Sequence, residues 1–453
     1  PDNPSWDSHR TVWNNNCIFC HNTGPRPGLV GSPLEAVFDS KTADLGISCE
    51  SCHGPGEAHA EKHRTPFFRY SALLSDERPD DIVHPDELGQ AESIALCAQC
   101  HAQRQPKSLD HLKAWMWTGP TYRPGEALDE HVDLVTLTSR SPNPADPDLF
   151  RARFWGDGTP RLTAYEAQGV QASPCMEDER FSCASCHSMH GGDPRGMIEP
   201  EMRTNAACTS CHEDIGADVA AHTGHAADGP GSSCYDCHMP RAVYGVIEIH
   251  RSHRIESPDP KRDAEAGRPN ACTLCHLDRS PVWAAREMGR MFGRRFDPPV
   301  RRPSGASVEL PDGVATLLAG DAVERAVAAA AMGRAPESGA LERDERAFLF
   351  ALLAVTLGDS YPSVRRLAQR ALLALDDDQP IGVRERLAAW DPMDAAGARA
   401  RTDELLELLR TGGAASFGAP GDGQLLSPDF HLDLAELTRL LESQSSRAIA
   451  IGE

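Results

Sequence analysis

Fourteen of the 15 cysteines in this 453-residue chain belong to one short motif, C-x-x-C-H. The motif occurs seven times, whereas the composition alone gives about 0.02 expected copies. The seven copies are Cys17-Cys20-His21, Cys49-Cys52-His53, Cys97-Cys100-His101, Cys183-Cys186-His187, Cys208-Cys211-His212, Cys234-Cys237-His238 and Cys272-Cys275-His276. Any fold of this chain must accommodate seven identical clusters of two sulfur atoms and one imidazole.

The spacing within the motif indicates covalent haem attachment. Two cysteines three residues apart can each form a thioether with a vinyl group of one haem, and the adjacent histidine then lies beneath the iron. Zinc sites use C-x-x-C pairs two at a time, disulfide scaffolds do not repeat one spacing, and a thioredoxin-like motif occurs singly. The sequence therefore predicts seven covalent haems c, attached through the seven cysteine pairs and ligated by the seven motif histidines.

A second histidine is available for each iron, because residues 1–280 contain 11 histidines outside the motifs. His190 follows His187 by three residues, so one helical turn would place both on the same face. His222 and His225 have the same spacing. The predicted second ligands are His59, His190, His222, His225, His253, His9 and His84. Methionine ligation, which raises a haem potential, is an alternative at Met189, Met197, Met202 or Met239, although a methionine near a haem more often packs against it.

The density of motifs sets the architecture of the first part of the chain. Residues 17–276 provide only about 37 residues for each motif, too few for seven separate pockets. We therefore expect the haems to touch one another and to form much of the core, with ligand and thioether bonds stabilising the loops. The longest spacing, 86 residues between the third and fourth motifs, predicts a group of three haems and a group of four.

The composition changes near residue 280. No cysteine follows Cys275, only His431 follows His276, and residues 297–313 have the proline and glycine content of a linker. Apolar residues then recur at helical spacing in 347–357 and 364–375. The predicted fold is mainly α with much irregular loop: a haem-cored cytochrome domain over 1–280, a linker over 281–313 and an α-helical domain over 314–453. This last domain is expected to be a docking surface or a structural cap.

Three stretches resemble bacterial extracytoplasmic multihaem cytochromes. They are Gly46–Gly56, Phe154–Gly158 with the following segment up to His190, and Cys234–Pro240 with the following segment up to Cys272. The chain is similar to cytochromes of this group that carry C-terminal HEAT-like repeats, and Tyr361–Leu372 resembles the second helix of such a repeat. More distantly it resembles the superfamily of pentahaem nitrite reductase, octahaem hydroxylamine oxidoreductase, octahaem tetrathionate reductase and the tetrahaem cytochrome of ammonia oxidisers. The C-x-x-C-K motif that usually binds the catalytic haem of the nitrite reductases does not occur in this sequence.

Charge and hydropathy exclude several functions and suggest partners. The net charge of −22 disfavours nucleic-acid binding and favours redox partner proteins with a basic docking face. The longest clean apolar stretch, 351–357, is far shorter than the ~20 residues of a membrane span. Covalent haem attachment in systems that resemble this one takes place outside the bacterial cytoplasm. We therefore expect a periplasmic or extracellular protein, and we interpret the chain, which begins at Pro1, as mature or trimmed.

Three functions follow from this interpretation. The first is electron transfer along a chain of seven mostly bis-histidine haems. The second is reduction or oxidation of a small nitrogen or sulfur compound at one haem with an open sixth position, and the third is a subunit of an extracellular cytochrome filament or homo-oligomer. Cys175 is the one cysteine outside the motifs, and it is either a small buried residue, a thiolate near an iron, or half of an intermolecular disulfide.

Overall fold

The computed structural model describes residues 13–31, 37–75, 81–141, 144–245, 248–338, 343–378, 382–387, 390–393, 395–416, 425, 427 and 431–445. These residues form two compact units. The first unit comprises the described residues up to 138 together with 164–200, and the second comprises 139–163 and those from 201 onwards. The first unit therefore contains motifs one to four, and the second contains motifs five to seven. The longest spacing predicted that the first three motifs are separate from the last four. This prediction is wrong, because the fourth motif lies in the first unit.

Short helices and two-stranded ribbons make up the first unit. The helices are α1 (Ile18–His21), α2 (Glu50–His53), α3 (Glu57–Arg64), α4 (Pro66–Leu74), α5 (Gln90–His101), α6 (Leu109–Thr118) and α7 (Glu166–Gln171). The strands are β1 (Asn22–Thr23), β2 (Leu29–Val30), β3 (Val37–Phe38), β4 (Asp44–Leu45), β5 (Arg104–Pro106) and β6 (Val132–Leu134). They pair antiparallel as β1–β4, β2–β3 and β5–β6.

The apolar core of the first unit surrounds α5. Ile94, Ala95 and Ala98 lie on one face of this helix, at the spacing that brings side chains together on a helix, and all three are buried. Trp115 of α6 and Val170 of α7 pack into the same cluster. The third haem motif ends α5, so this core fixes the position of that motif.

The second unit begins with short helices around the motifs and continues into longer helices. The helices are α8 (Ala206–Thr209), α9 (Glu213–Ala217), α10 (Val219–Thr223), α11 (Cys234–His238), α12 (Pro260–Glu265), α13 (Pro281–Phe292), α14 (Asp312–Ala319), α15 (Ala322–Arg334), α16 (Arg343–Thr356), α17 (Pro362–Asp378), α18 (Val383–Leu387), α19 (Ala398–Ser416) and α20 (Leu434–Glu442). One antiparallel ribbon joins β7 (Arg241–Tyr244) to β8 (Ile249–Arg251).

Helices α14 to α17 form an apolar core. The alanine-rich α15 allows α17 to approach closely, because a Cβ atom at Gly333 would lie 3.0 Å from the Cα of Ala371. Val327, Phe348 and Leu372 are buried in this core. The prediction of a mainly α fold with much irregular loop is confirmed. None of the described helices combines the length and apolarity needed to cross a bilayer.

The region that composition assigned to a linker begins with a regular helix. Ser280 caps α13 by accepting a hydrogen bond from the backbone N–H of Trp283, and Pro281 occupies the first helical position, where its missing N–H is no loss. The second unit contains both the last three motifs and the C-terminal helices. The boundaries at 280 and 313 stay predictions.

Candidate haem-binding sites

Each motif closes one helical turn, and the turn explains why the motif needs this spacing. The backbone N–H of the histidine donates to the carbonyl of the first cysteine, at 3.0 Å in the first motif and 2.9 Å in the second. The same bond is 3.0 Å in the fourth and fifth motifs and 2.9 Å in the seventh. The third and sixth motifs lie within α5 and α11. A single turn brings both sulfur atoms and the imidazole to one side of the backbone, as attachment of one haem requires.

Four motif histidines have a partner at Nδ1, the ring nitrogen that does not bind the metal when Nε2 does. Nδ1 of His53 lies 2.7 Å from the carbonyl oxygen of Val83, and Nδ1 of His187 lies 2.6 Å from that of Gly196. Nδ1 of His238 lies 3.0 Å from the carbonyl oxygen of Glu256, and Nδ1 of His101 lies 3.3 Å from a carboxylate oxygen of Glu166. Metal-ligating histidines bond in this way through the second ring nitrogen, which fixes the ring orientation.

Three of the predicted second ligands lie opposite a motif histidine. The ring centres of His53 and His190 are 6.0 Å apart, with an interplanar angle of 3°. Those of His222 and His238 are 6.2 Å apart at 16°, and those of His225 and His276 are 6.3 Å apart at 29°. A metal–nitrogen bond is about 2 Å long and an imidazole nitrogen lies about 1.1 Å from its ring centre, so two histidines on one iron have centres about 6 Å apart. The spacing of the three pairs fits a haem iron.

The other predicted second ligands have different surroundings. His59 and His63 on α3 have ring centres 4.5 Å apart, and Nδ1 of His59 lies 3.0 Å from a carboxylate oxygen of Asp81. His84 precedes the single-turn helix Pro85–Glu87, and His253 is half-buried after β8. His9 lies outside the described residues. The ligand roles of all these histidines stay predictions.

Neighbouring motifs lie close together within each unit. In the first unit, the sulfur of Cys20 lies 3.9 Å from the carbonyl oxygen of Cys100, and the side chain of Gln99 donates to the carbonyl of Ser51 at 2.9 Å. These contacts join the third motif to the first two. The thiols of Cys97 and Cys183 are within hydrogen-bonding reach and join the third motif to the fourth.

The second unit joins its motifs by polar contacts that the sequence reasoning missed. The side chain of Asn205, just before the fifth motif, accepts from the backbone N–H of Cys234 at 2.9 Å and donates to the carbonyl of Ser232 at 2.8 Å. Arg268 pairs with Glu256 at 2.7 Å, and the carbonyl of Glu256 in turn contacts His238. The sequence spacing of Asn205 and Arg268 gave no signal for these contacts, and only their polar side chains made such contacts conceivable.

A cavity of about 500 Å³ lies in the first unit beside Cys100 and Phe19. Three buried polar side chains that line the cavity have no hydrogen-bond partner within the described part of the chain. They are the amide of Asn22, the indole nitrogen of Trp115 and the hydroxyl of Tyr122. Buried polar atoms normally have hydrogen-bond partners, so these three unpaired side chains indicate that a group with polar edges belongs in the cavity. A haem attached through the third motif, with its propionates and macrocycle, fits that description.

The second unit provides cationic groups close to its last motif. The guanidinium groups of Arg241, Arg251 and Arg334 interact with one another, and Arg334 also interacts with Cys275. Burial, together with the repulsion from the other two arginines, lowers the pKa of Arg334 to about 10. Carboxylates already face this cluster, because Asp236 pairs with Arg251 at 2.8 Å and Glu248 and Glu337 interact with Arg241.

Burial also sets the charge state of two motif histidines. It lowers the pKa of His238 and of His276 below the usual histidine value, and neighbouring histidines reinforce the shift. Both imidazoles are therefore neutral at neutral pH. A neutral imidazole has the free nitrogen lone pair that a metal ligand needs.

Comparisons with known proteins agree with this chemistry. The family described as doubled CXXCH motif matches residues 173–217, and the family of cytochrome c554 and c-prime matches residues 5–54. The multiheme cytochrome MtrA of Shewanella baltica (strain OS185) is 21% identical over 267 residues, which are 58% of this chain and 52% of MtrA. The chain thus matches about half the length of that relative.

Among solved structures, the outer cell wall cytochrome OcwA is similar to this chain, with 18% sequence identity and a TM-score of 0.38. The match covers 81% of this chain and 76% of the OcwA chain. The two family matches together cover the first, second, fourth and fifth motifs. The chain is a multihaem c-type cytochrome that binds haem c through its C-x-x-C-H motifs.

Proposed function

We propose that this cytochrome transfers electrons along seven covalently bound haems c, most of them ligated by two histidines. The observation that carries the proposal is the spacing of the pairs His53–His190, His222–His238 and His225–His276. Two protein ligands on an iron leave no position for a substrate, so such a haem accepts and donates electrons without binding anything else. Haem supplies the redox chemistry, and the protein sets its orientation and electrostatics.

Proximity of the motifs supports a continuous path within each unit. In the first unit, the third motif contacts the first, second and fourth motifs through Cys100, Gln99 and Cys97. The second unit joins the fifth motif to the sixth through Asn205. Haems attached at neighbouring turns lie close to one another, which favours electron exchange between them.

The proposal extends to location and partners. Covalent haem attachment takes place outside the bacterial cytoplasm in systems that resemble this one, so we place this protein in the periplasm or outside the cell. The net charge of −22, which haem propionates deepen, favours a redox partner with a basic docking face. Electron exchange with such a partner slows as salt screens the attraction.

Two measurements test the proposed function. A pyridine haemochrome assay on the purified chain should give seven haems, and fewer than seven would contradict the motif count. The fully reduced protein, mixed with an oxidised small basic cytochrome in a stopped-flow instrument, should transfer electrons at a rate that falls with ionic strength. A rate that is the same for an acidic acceptor of similar potential would contradict the partner charge.

A second candidate function is reduction of a small anion at one haem. The cavity near Cys100 favours it, because Arg26, Arg104 and Tyr122 line that space and could donate to an anionic substrate. Addition of nitrite, hydroxylamine or cyanide to the oxidised protein distinguishes the two functions. A high-spin ferric signal that changes on addition would identify an open haem, and an unchanged low-spin spectrum supports the electron conduit.

A further inference from the structure

The carboxylate of Glu166 lies beside the motif histidine of the third haem site. Its Oε2 atom is 3.3 Å from Nδ1 of His101, and the Glu166 side chain is only 23% exposed. Because coordination to iron occupies Nε2 of a motif histidine, Nδ1 keeps its proton and donates to this carboxylate. The contact joins residues that are far apart in the chain.

The backbone holds the Glu166 carboxylate in place from its other side. The N–H of Ala164 donates to Oε1 at 3.2 Å, and Ala164 adopts a left-handed conformation with φ of 64°. A residue with a Cβ atom pays a conformational penalty there, and such outliers cluster at functional sites. Gln168 on the same helix, α7, donates to the carbonyl of Gln103 at 2.8 Å and so anchors α7 to the segment that follows His101.

The partner of His101 differs in charge from the partners of three other motif histidines. His53, His187 and His238 each face a backbone carbonyl, which is neutral. Glu166 presents a full negative charge to the ring. A carboxylate partner makes the imidazole a stronger electron donor to iron, and this stabilises the ferric state relative to the ferrous state.

We propose that Glu166 is a positioning residue that lowers the midpoint potential of the third haem below the value a carbonyl partner would give. The inference rests on the proposed electron transfer and specifies one device that sets the order of potentials along the chain. The third motif contacts the other three motifs of its unit, so its potential decides whether electrons rest on it or pass through it.

The test is a spectroelectrochemical titration of the Glu166→Gln protein. Glutamine keeps the size and one acceptor oxygen but removes the charge. We expect one haem of the set to become easier to reduce, with an equilibrium constant shifted roughly tenfold, which is about 59 mV for one electron. The matched control is Glu177→Gln, which removes the same charge from an exposed position of the same unit.

Haem content and the low-spin ferric spectrum are measured on each variant, so that a shift in potential is separated from a lost haem. A titration curve of Glu166→Gln that superimposes on that of Glu177→Gln would overturn the inference. If Glu166→Gln fails to load haem, Glu166→Asp gives the decision: the shortened carboxylate should raise the same potential by an amount that corresponds to less than a tenfold change in the equilibrium constant, and an unshifted curve refutes the role. Failure of the proposed function would instead be visible in the wild-type protein, as a lack of electron exchange with partners.

Discussion

Arg268 is the centre of a buried charge network in the second unit, and its removal is a sharp test of what holds the last motifs in place. Its side chain is 4% exposed and pairs with Asp263, with Glu256 at 2.7 Å and with Asp157 at 3.4 Å. Asp263 also accepts from the side chain of Asn270, two residues before the seventh motif. We expect Arg268→Met, which keeps much of the volume, to destabilise this unit severely.

The magnitude follows from the charges that remain. At an effective dielectric constant of 20, Coulomb's law gives about 6 kcal/mol for the contact with Glu256 and about 5 kcal/mol for that with Asp157. Desolvation of the guanidinium offsets several kcal/mol of this attraction. Removing only one partner of a buried pair leaves uncompensated charge, so we expect the free energy of unfolding to fall by about 3–5 kcal/mol.

The assay is urea unfolding of the haem-loaded protein, followed by circular dichroism. The control is Arg290→Met, which breaks an ion pair with Glu287 on α13 where the arginine is 68% exposed. Exposed pairs contribute about 0–1 kcal/mol. A loss for Arg268→Met no larger than the loss for the control would refute the reasoning.

The pH dependence provides a second check on Arg268. Burial opposes ionisation of Asp157, and Arg268 nevertheless holds the pKa of that carboxyl below its usual value. In the wild type, this contribution to stability is present above the unfolded pKa and is lost as the pH falls. In Arg268→Met the folded pKa rises, so protonation relieves the buried charge. The difference in stability between the two proteins should therefore shrink as the pH falls towards about 4, and a difference that grows would contradict the mechanism.

Three further predictions concern single side chains. The change His190→Ala should convert one ferric haem to high spin in the electron paramagnetic resonance spectrum, whereas His431→Ala should not, and an unchanged spectrum would contradict the pairing with His53. Burial, with a contribution from a neighbouring aspartate, raises the pKa of Glu324 to about 8, so the wild-type unfolding free energy should decrease as the pH rises from about 4 through that value. Glu324→Gln should abolish this decrease. Cys175 is half-buried in the described chain rather than buried; if a bound haem covers it, one thiol per chain should react with a maleimide only after denaturation, and rapid labelling of the native protein would show that it is accessible.

The haem-binding turns were predictable from sequence because the chemistry of attachment fixes them locally. Cysteine and histidine at this spacing need one helical turn, and the backbone bonds of the motifs provide it. His190, His222 and His225 were identified by their offsets of three residues, and the structure brings each of them opposite a motif histidine. Their partners were not predictable, because which imidazole lies across an iron depends on the tertiary fold.

The helical part of the chain was predicted in class but not in its boundaries. An α-helical domain was predicted from residue 314 without helix boundaries at its start, and the structure has α14 and α15 there with a break between them. A Cβ atom at Gly320 would lie 2.4 Å from the carbonyl oxygen of Thr316, and Asp321 starts a new helix through a capping box with Glu324. The aspartate and the glutamate three residues later were a readable signal.

The long gap before the fourth motif misled the grouping of haems, and the pair His53–His190 shows why. His190 belongs to the fourth motif in sequence but lies opposite the histidine of the second motif. Glu166, in the long segment between the third and fourth motifs, likewise reaches His101 of the third. If an iron joins His53 to His190, this link closes a very long loop. Because the entropy of closing a loop grows with its length, such a link would contribute more to the stability of the first unit than one between nearby residues. The fourth motif therefore lies in the same unit as the first three, and sequence distance between motifs has little bearing on which motifs are neighbours.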